Sequence, residues 1–169
     1  MRSEDQARGP LPDASPFRFA VVVSRFNETV TASLRDAALA ALKEAGATDS
    51  HVQQFSVPGA FEIPQAARAA AETGRFDAVV CLGCIIRGET PHFEYIAAAV
   101  AHGITDAAAE TGVPMAFGVL TTDTQAQADA RAGSGPDNKG REAAAAAIEM
   151  AALYRSLSGS SPRPFGFRA

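Results

Sequence analysis

Ala78-Val79-Val80-Cys81-Leu82-Gly83-Cys84-Ile85-Ile86 runs directly into Arg87-Gly88-Glu89-Thr90-Pro91-His92-Phe93, and this junction decides the fold. The first segment is almost wholly apolar and reads as a strand buried on both faces. The second breaks it with a glycine turn and starts a helix. Thr90 is expected as the N-cap and Pro91 as the first helical residue, where its missing N–H costs nothing. His92 then falls in the first turn. Backbone N–H groups and the positive end of the helix dipole face an anion there, and the same dipole disfavours imidazolium, leaving His92 as a neutral proton acceptor. The plain alternative is a loop with a well-capped helix and an exposed histidine.

Outward from this junction the chain alternates short apolar runs with longer, Ala-rich helical stretches. A strand is expected over Phe17–Ser24, then a helix over Thr31–Ala45 with Leu34, Ala38, Leu42 and Ala45 on one face, stopped by Gly46. A weaker strand, Val52–Val57, precedes a helix through Ala71. The strand Ala78–Ile86 precedes a helix from Pro91 to about Glu110. Val113–Leu120 gives a fourth strand, followed by a short helix at Ala126–Arg131, a Gly/Pro loop and a last helix to about Leu157. Strands alternating with helices imply a mainly parallel four-stranded sheet covered on both faces, a three-layer αβα sandwich of flavodoxin-like type. Residues 1–16 and 158–169 lack periodicity and read as flexible tails on one domain spanning 17–157.

Composition narrows the function. The 169 residues are 47% hydrophobic and 20% charged, with a formal net charge of −4 and a pI near 5.3. A nucleic-acid binder would carry a basic face, and no basic cluster of that kind occurs. No segment reads as a signal peptide or membrane span, so a cytoplasmic protein is expected. Cys81 and Cys84 form a C-x-x-C, but redox pairs of that type open helices and a zinc site needs further ligands. Both cysteines lie inside an apolar strand, which favours buried structural thiols.

In parallel sheets ligands bind beyond the carboxyl ends of the strands. The first end carries Arg25-Phe26-Asn27, with an aromatic able to stack on a planar ligand or to join the core. The second carries Val57-Pro58-Gly59-Ala60-Phe61-Glu62-Ile63-Pro64, where Glu62 either accepts hydrogen bonds from ligand hydroxyls or complements its helix dipole. The third is the His92 junction. The fourth carries Thr121-Thr122-Asp123-Thr124, and Phe117 within that strand is either core or a second aromatic wall. Downstream, Arg131 and the Asn138-Lys139-Gly140 turn flank the Gly/Pro loop. Lys139 is one of two lysines against thirteen arginines, a hint of a specific need, with solvated surface charge as the default.

Taken together, Arg25–Asn27, Pro58–Pro64, Gly88–Phe93, Phe117–Thr121, Gln125-Ala126 with Arg131–Gly133, and Asn138–Gly140 resemble lumazine synthases in order and spacing, over about residues 17–157. The resemblance implies condensation of 5-amino-6-ribitylaminouracil with 3,4-dihydroxy-2-butanone 4-phosphate to 6,7-dimethyl-8-ribityllumazine, the step before riboflavin, with no metal or cofactor. It implies that Phe26 stacks on the pyrimidine and the backbone at Cys84, Ile85 and Ile86 reads the ring edge. Ala60, Phe61 and Glu62 would hold the ribityl chain, and Glu89, Thr90 and Arg131 would surround the phosphate. His92 would shuttle protons, Phe117 would close the ring pocket, and Lys139 would add positive potential. Phe61 stands where tryptophan is frequent in the family, keeping an aromatic body. Glu89 is expected to offer its backbone N–H and turn its carboxylate away, toward Arg87. The resemblance further implies a homo-oligomeric ring of five, with active sites between neighbours. An isolated ring is expected rather than a sixty-subunit shell. Two other readings stay open at this level, a flavin-holding or cage-building relative with little catalysis and a flavodoxin-like phosphate-binding module.

Overall fold

The structure is a computed structural model that describes residues 9–159. Its order is β1 (Phe19–Ser24), α1 (Glu28–Glu44), β2 (Val52–Val57), α2 (Ile63–Glu72), β3 (Ala78–Ile86), α3 (His92–Thr111), β4 (Met115–Thr122), α4 (Gln125–Arg131) and α5 (Lys139–Ser158). A short 3-10 turn, Ala60–Glu62, leads into α2. The four strands form one sheet in the order β2-β1-β3-β4, every pair parallel.

Alternation along the strands divides the core between two faces. Phe19, Val21 and Val23 of β1 and Val80, Leu82 and Cys84 of β3 pack with Leu34, Leu42, Ala144 and Ile148 of α1 and α5. Ala20, Val22, Val79 and Cys81 point the other way, onto Ile63, Ala67, Val100 and Ile104 of α2 and α3. The result is the three-layer αβα sandwich read from the sequence.

Small residues let the layers close. A Cβ on Gly140 would run into the Leu34 carbonyl, so glycine there lets the start of α5 lie directly on α1. A Cβ on Gly118 would stand 2.9 Å from the Ala143 Cβ, and glycine thereby seats α5 against β4. These two contacts fix where the first turn of α5, with Lys139, sits relative to the edge strand.

The packed chain begins earlier than the expected boundary at 17. Ala14 is fully buried and its N–H donates to the Ala45 carbonyl at 2.8 Å, and Asp13 accepts from the Ser15 N–H and hydroxyl. The remainder of the two expected tails, residues 1–8 and 160–169, lies outside the described residues. Among the described residues no helix is long and apolar enough to cross a membrane.

Candidate active site

The carboxyl ends of the four strands are stitched to one another. Beyond β1, the Arg25 N–H donates to the Val57 carbonyl (2.9 Å) and the Phe26 N–H to the Pro58 carbonyl (3.2 Å), tying the first end to the second. Asn27 adopts the left-handed region (φ 60°) and its Nδ2 donates to the Cys84 carbonyl at 3.0 Å, tying the first end to the third. The Arg87 N–H donates to the Thr122 carbonyl at 2.8 Å, tying the third end to the fourth. Asn27 was not singled out from the sequence as a structural hinge, although asparagine is among the few residue types that tolerate this conformation.

On this rim Phe26 and Phe61 are 70% and 50% exposed, so neither belongs to the core. Ile85 and Ile86 are half-buried, and Ala60 is buried in the cluster that Ile85 packs against. The 3-10 turn packs against β3 and α3, which brings Ala60, Phe61 and Glu62 to the third strand end. Glu62 serves partly as a local cap, because its Oε2 accepts from the Gly59 N–H at 2.9 Å while the Glu62 N–H returns to the Gly59 carbonyl. Its second oxygen forms no hydrogen bond among the described residues.

The helix start differs in detail from expectation. His92 is the first residue of α3, Pro91 occupies the cap position with helical dihedrals, and Thr90 makes no side-chain cap. A backbone turn from Glu94 N–H to the Pro91 carbonyl (3.0 Å) closes the entry instead. With no side-chain cap, the N–H groups of His92 and Phe93 stay open, as the first turn of any helix leaves them. Among the described residues, Gly88, Glu89 and Thr90 likewise form no hydrogen bonds. Glu89 also departs from expectation: Arg87 gives its guanidinium to Asp123 (2.7 Å) and Glu94 (3.2 Å), and lies 4.4 Å from the Phe93 ring centre. Glu89 is exposed and separate from that cluster.

The remaining expected residues sit elsewhere. Phe117 pairs in register with Cys81, five residues short of Ile86, or about 16 Å of strand below the rim. Together with Thr121, Arg131 and Lys139 it lines an open cleft of about 380 Å³ along the β4 edge. Arg131 folds back to donate to the Gln127 carbonyl at 2.9 Å. Lys139 belongs to the first turn of α5 rather than to a free turn: Asn138 caps that helix, accepting from the Gly140 N–H (2.8 Å) and donating to the Gly133 carbonyl (2.9 Å). The Lys139 ammonium pairs with Glu142 at 2.7 Å. Glu142 was missed from the sequence, though its position three residues after a rare lysine at a helix start was a usable signal.

The cysteines take no part in a reactive centre. Burial pushes the Cys81 thiol up to about 12, and burial followed by repulsion from Asp129 pushes Cys84 up to about 11. Two candidate half-sites, an aromatic rim at the strand ends and a cleft with Arg131 and Lys139 along the β4 edge, form the pattern to compare with known proteins.

The model of the 6,7-dimethyl-8-ribityllumazine synthase family matches residues 16–155. The chain belongs to that family. Named 6,7-dimethyl-8-ribityllumazine synthases resemble it along most of both lengths. That of Syntrophus aciditrophicus is 52% identical over 144 residues, covering 85% of this chain and 94% of the relative. That of Salinibacter ruber is 54% identical over 142 residues, covering 84% and 91%, and that of Chlorobium luteolum 47% over 152, covering 90% and 97%. Residues 16–155 include every candidate position of both half-sites, from Phe26 to Glu142, so lumazine synthase membership bears on the rim and the cleft alike.

Proposed function

We propose that this lumazine synthase family member condenses 5-amino-6-ribitylaminouracil with 3,4-dihydroxy-2-butanone 4-phosphate, releasing phosphate and forming 6,7-dimethyl-8-ribityllumazine, at a site completed by a neighbouring copy. The observation that carries the shared site is the 16 Å strand offset of Phe117 from the rim. Phe117 stands too far down its own strand to close a ring pocket at its own rim, which supports a pocket closed by the Phe117 of a neighbouring copy.

Phe26 stacks on the pyrimidine, the backbone at Cys84, Ile85 and Ile86 reads its edge, and Ala60, Phe61 and Glu62 take the ribityl chain. The open N–H groups of Gly88, Glu89, Thr90, His92 and Phe93 receive the phosphate at the positive end of a 20-residue helix. From the neighbour, Arg131 completes the phosphate site, Phe117 closes the ring pocket and Lys139 adds positive potential. His92, exposed beside that cradle, moves protons as the amine adds to the ketone, phosphate leaves and the second ring closes. Much of the remaining acceleration comes from holding two substrates in one orientation.

A heterologous, head-to-tail contact that closes makes a ring, of five copies by the family resemblance. Tyr95 is 74% exposed, Ala98 and Ala99 of α3 are exposed beside it, and Leu157 of α5 is 70% exposed, which supports burial against partners. A cytoplasmic setting fits a pathway of soluble phosphorylated intermediates. The purified protein incubated with both substrates should develop lumazine absorbance and fluorescence. Binding of the pyrimidine without product would favour instead a flavin-holding or cage-building relative.

A further inference from the structure

The cluster around Arg87 lies outside every role assigned so far. Its guanidinium joins two other pieces of chain: Nε donates to Asp123 beyond β4 at 2.7 Å, while in the first turn of α3 Nη1 donates to Glu94 at 3.2 Å and the guanidinium lies over the Phe93 ring at 4.4 Å. Its own N–H is held by the Thr122 carbonyl. Asp123 is fixed in turn, because its N–H donates to the Gln127 side chain at 2.9 Å. Between the Arg87 anchor and the first turn of α3 run Gly88, Glu89, Thr90 and Pro91, all exposed, and the first three form no hydrogen bonds of their own. That span is therefore shaped from its two ends, and Arg87 is the side chain that ties one end to the other.

We propose that Arg87 is a positioning residue for the phosphate of the butanone substrate: by bridging Asp123, Glu94 and Phe93 it fixes the Gly88–Pro91 span, whose Gly88, Glu89 and Thr90 N–H groups have no partner of their own among the described residues, and it neutralises two carboxylates beside that anion site. The inference rests on the proposed reaction. The chemistry favours arginine over lysine, since a planar fork serves two carboxylates and an aromatic face together while an ammonium serves one partner as a point charge. Both carboxylate partners are largely solvent-exposed and Arg87 itself is well over a third exposed, and exposed ion pairs contribute little to stability. A purely structural role would therefore leave little to measure, whereas a misplaced anion cradle shows in substrate affinity.

The test is steady-state kinetics with each substrate varied in turn, together with inhibition by inorganic phosphate, on the wild type, Arg87→Met and Arg87→Lys. Arg87→Met should raise both the KM for the butanone phosphate and the phosphate inhibition constant by about tenfold, since small displacements of positioning groups carry large kinetic effects. The KM for the aminouracil should stay within about twofold, because the stacking aromatic is held by β1 and not by this loop. Arg87→Lys should recover only part of the loss. If Arg87→Met does not fold, Asp123→Asn and Glu94→Gln each remove one arm and should each move the phosphate inhibition constant while leaving the aminouracil KM in place. Unchanged phosphate parameters in a folded Arg87→Met overturn the inference, as does an equal rise in both KM values. A wild type that forms no lumazine overturns the proposed reaction instead. In that case direct titration with inorganic phosphate still reads the clamp, and binding weakened by Arg87→Met supports it.

Discussion

The His92 side chain, at the first position of α3, makes no hydrogen bond among the described residues, and the proposed reaction gives it a chemical role rather than a structural one. His92→Ala should lower kcat by about 10–100-fold, the lower part of the range for general acid–base catalysis, because orientation of the two substrates survives the change. The aminouracil should bind the variant with nearly wild-type affinity, measurable by titration in the absence of the second substrate. An unchanged kcat would remove His92 from the proton transfers. The cysteines make a second residue-scale case. With Cys84 raised to about 11 and Cys81 to about 12 by burial, at most about a thousandth of either thiol is ionised at pH 8, and the thiolate is the reactive form. Native protein should therefore resist a thiol reagent that titrates two groups per chain after unfolding. Rapid labelling of the native form would contradict the buried-strand reading of Cys81 and Cys84.

At the scale of elements, Gly140 tests how α5 is seated. Alanine in place of glycine within a helix ordinarily gains up to about 1 kcal/mol, but a Cβ there meets the Leu34 backbone carbonyl, which cannot rotate away. Overpacking of this kind costs about 1–3 kcal/mol, so Gly140→Ala should lower Tm; a raised Tm would mean that α1 and α5 can separate without loss. The same pair of helices is bridged by Arg141, which holds the Glu44 carboxyl below its usual value. A depressed carboxyl stabilises the fold above the ordinary carboxylate range and loses that contribution as pH falls through its native value. Elements were legible from the sequence where local pattern decides them. β2 and β3 occupy Val52–Val57 and Ala78–Ile86 as expected, β3 as a nearly continuous apolar run and β2 as a weaker one carried by Val52, Phe55 and Val57. Edges moved where distant contacts decide: α1 starts at Glu28 because Asn27 turns left-handed and bonds across to Cys84, and Phe17 leaves the expected strand to sit 6.4 Å from Phe19 with Arg155 over its ring. The site divides in the same way. Rim residues follow strand ends, so topology locates them, whereas the partners of Arg87 lie 7 and 36 residues away and no local pattern announces them.

For the whole molecule, the proposed reaction draws its residues from two neighbouring chains. If the site is shared, chains carrying His92→Ala and chains carrying Arg131→Ala repair one another. Arg131→Ala alone should weaken inhibition by inorganic phosphate, since arginine binds phosphate through charge-assisted hydrogen bonds. The two variants, unfolded and refolded together in equal amounts, should leave about a quarter of the sites with both residues intact, because a head-to-tail ring pairs different patches of adjacent chains. The most direct test is lumazine formation by that mixture at limiting butanone phosphate, with mixed assemblies verified by mass spectrometry. Activity clearly above the mean of the two parents is the predicted result; activity equal to that mean in verified mixed assemblies would place His92 and Arg131 in one chain's site and contradict the shared pocket.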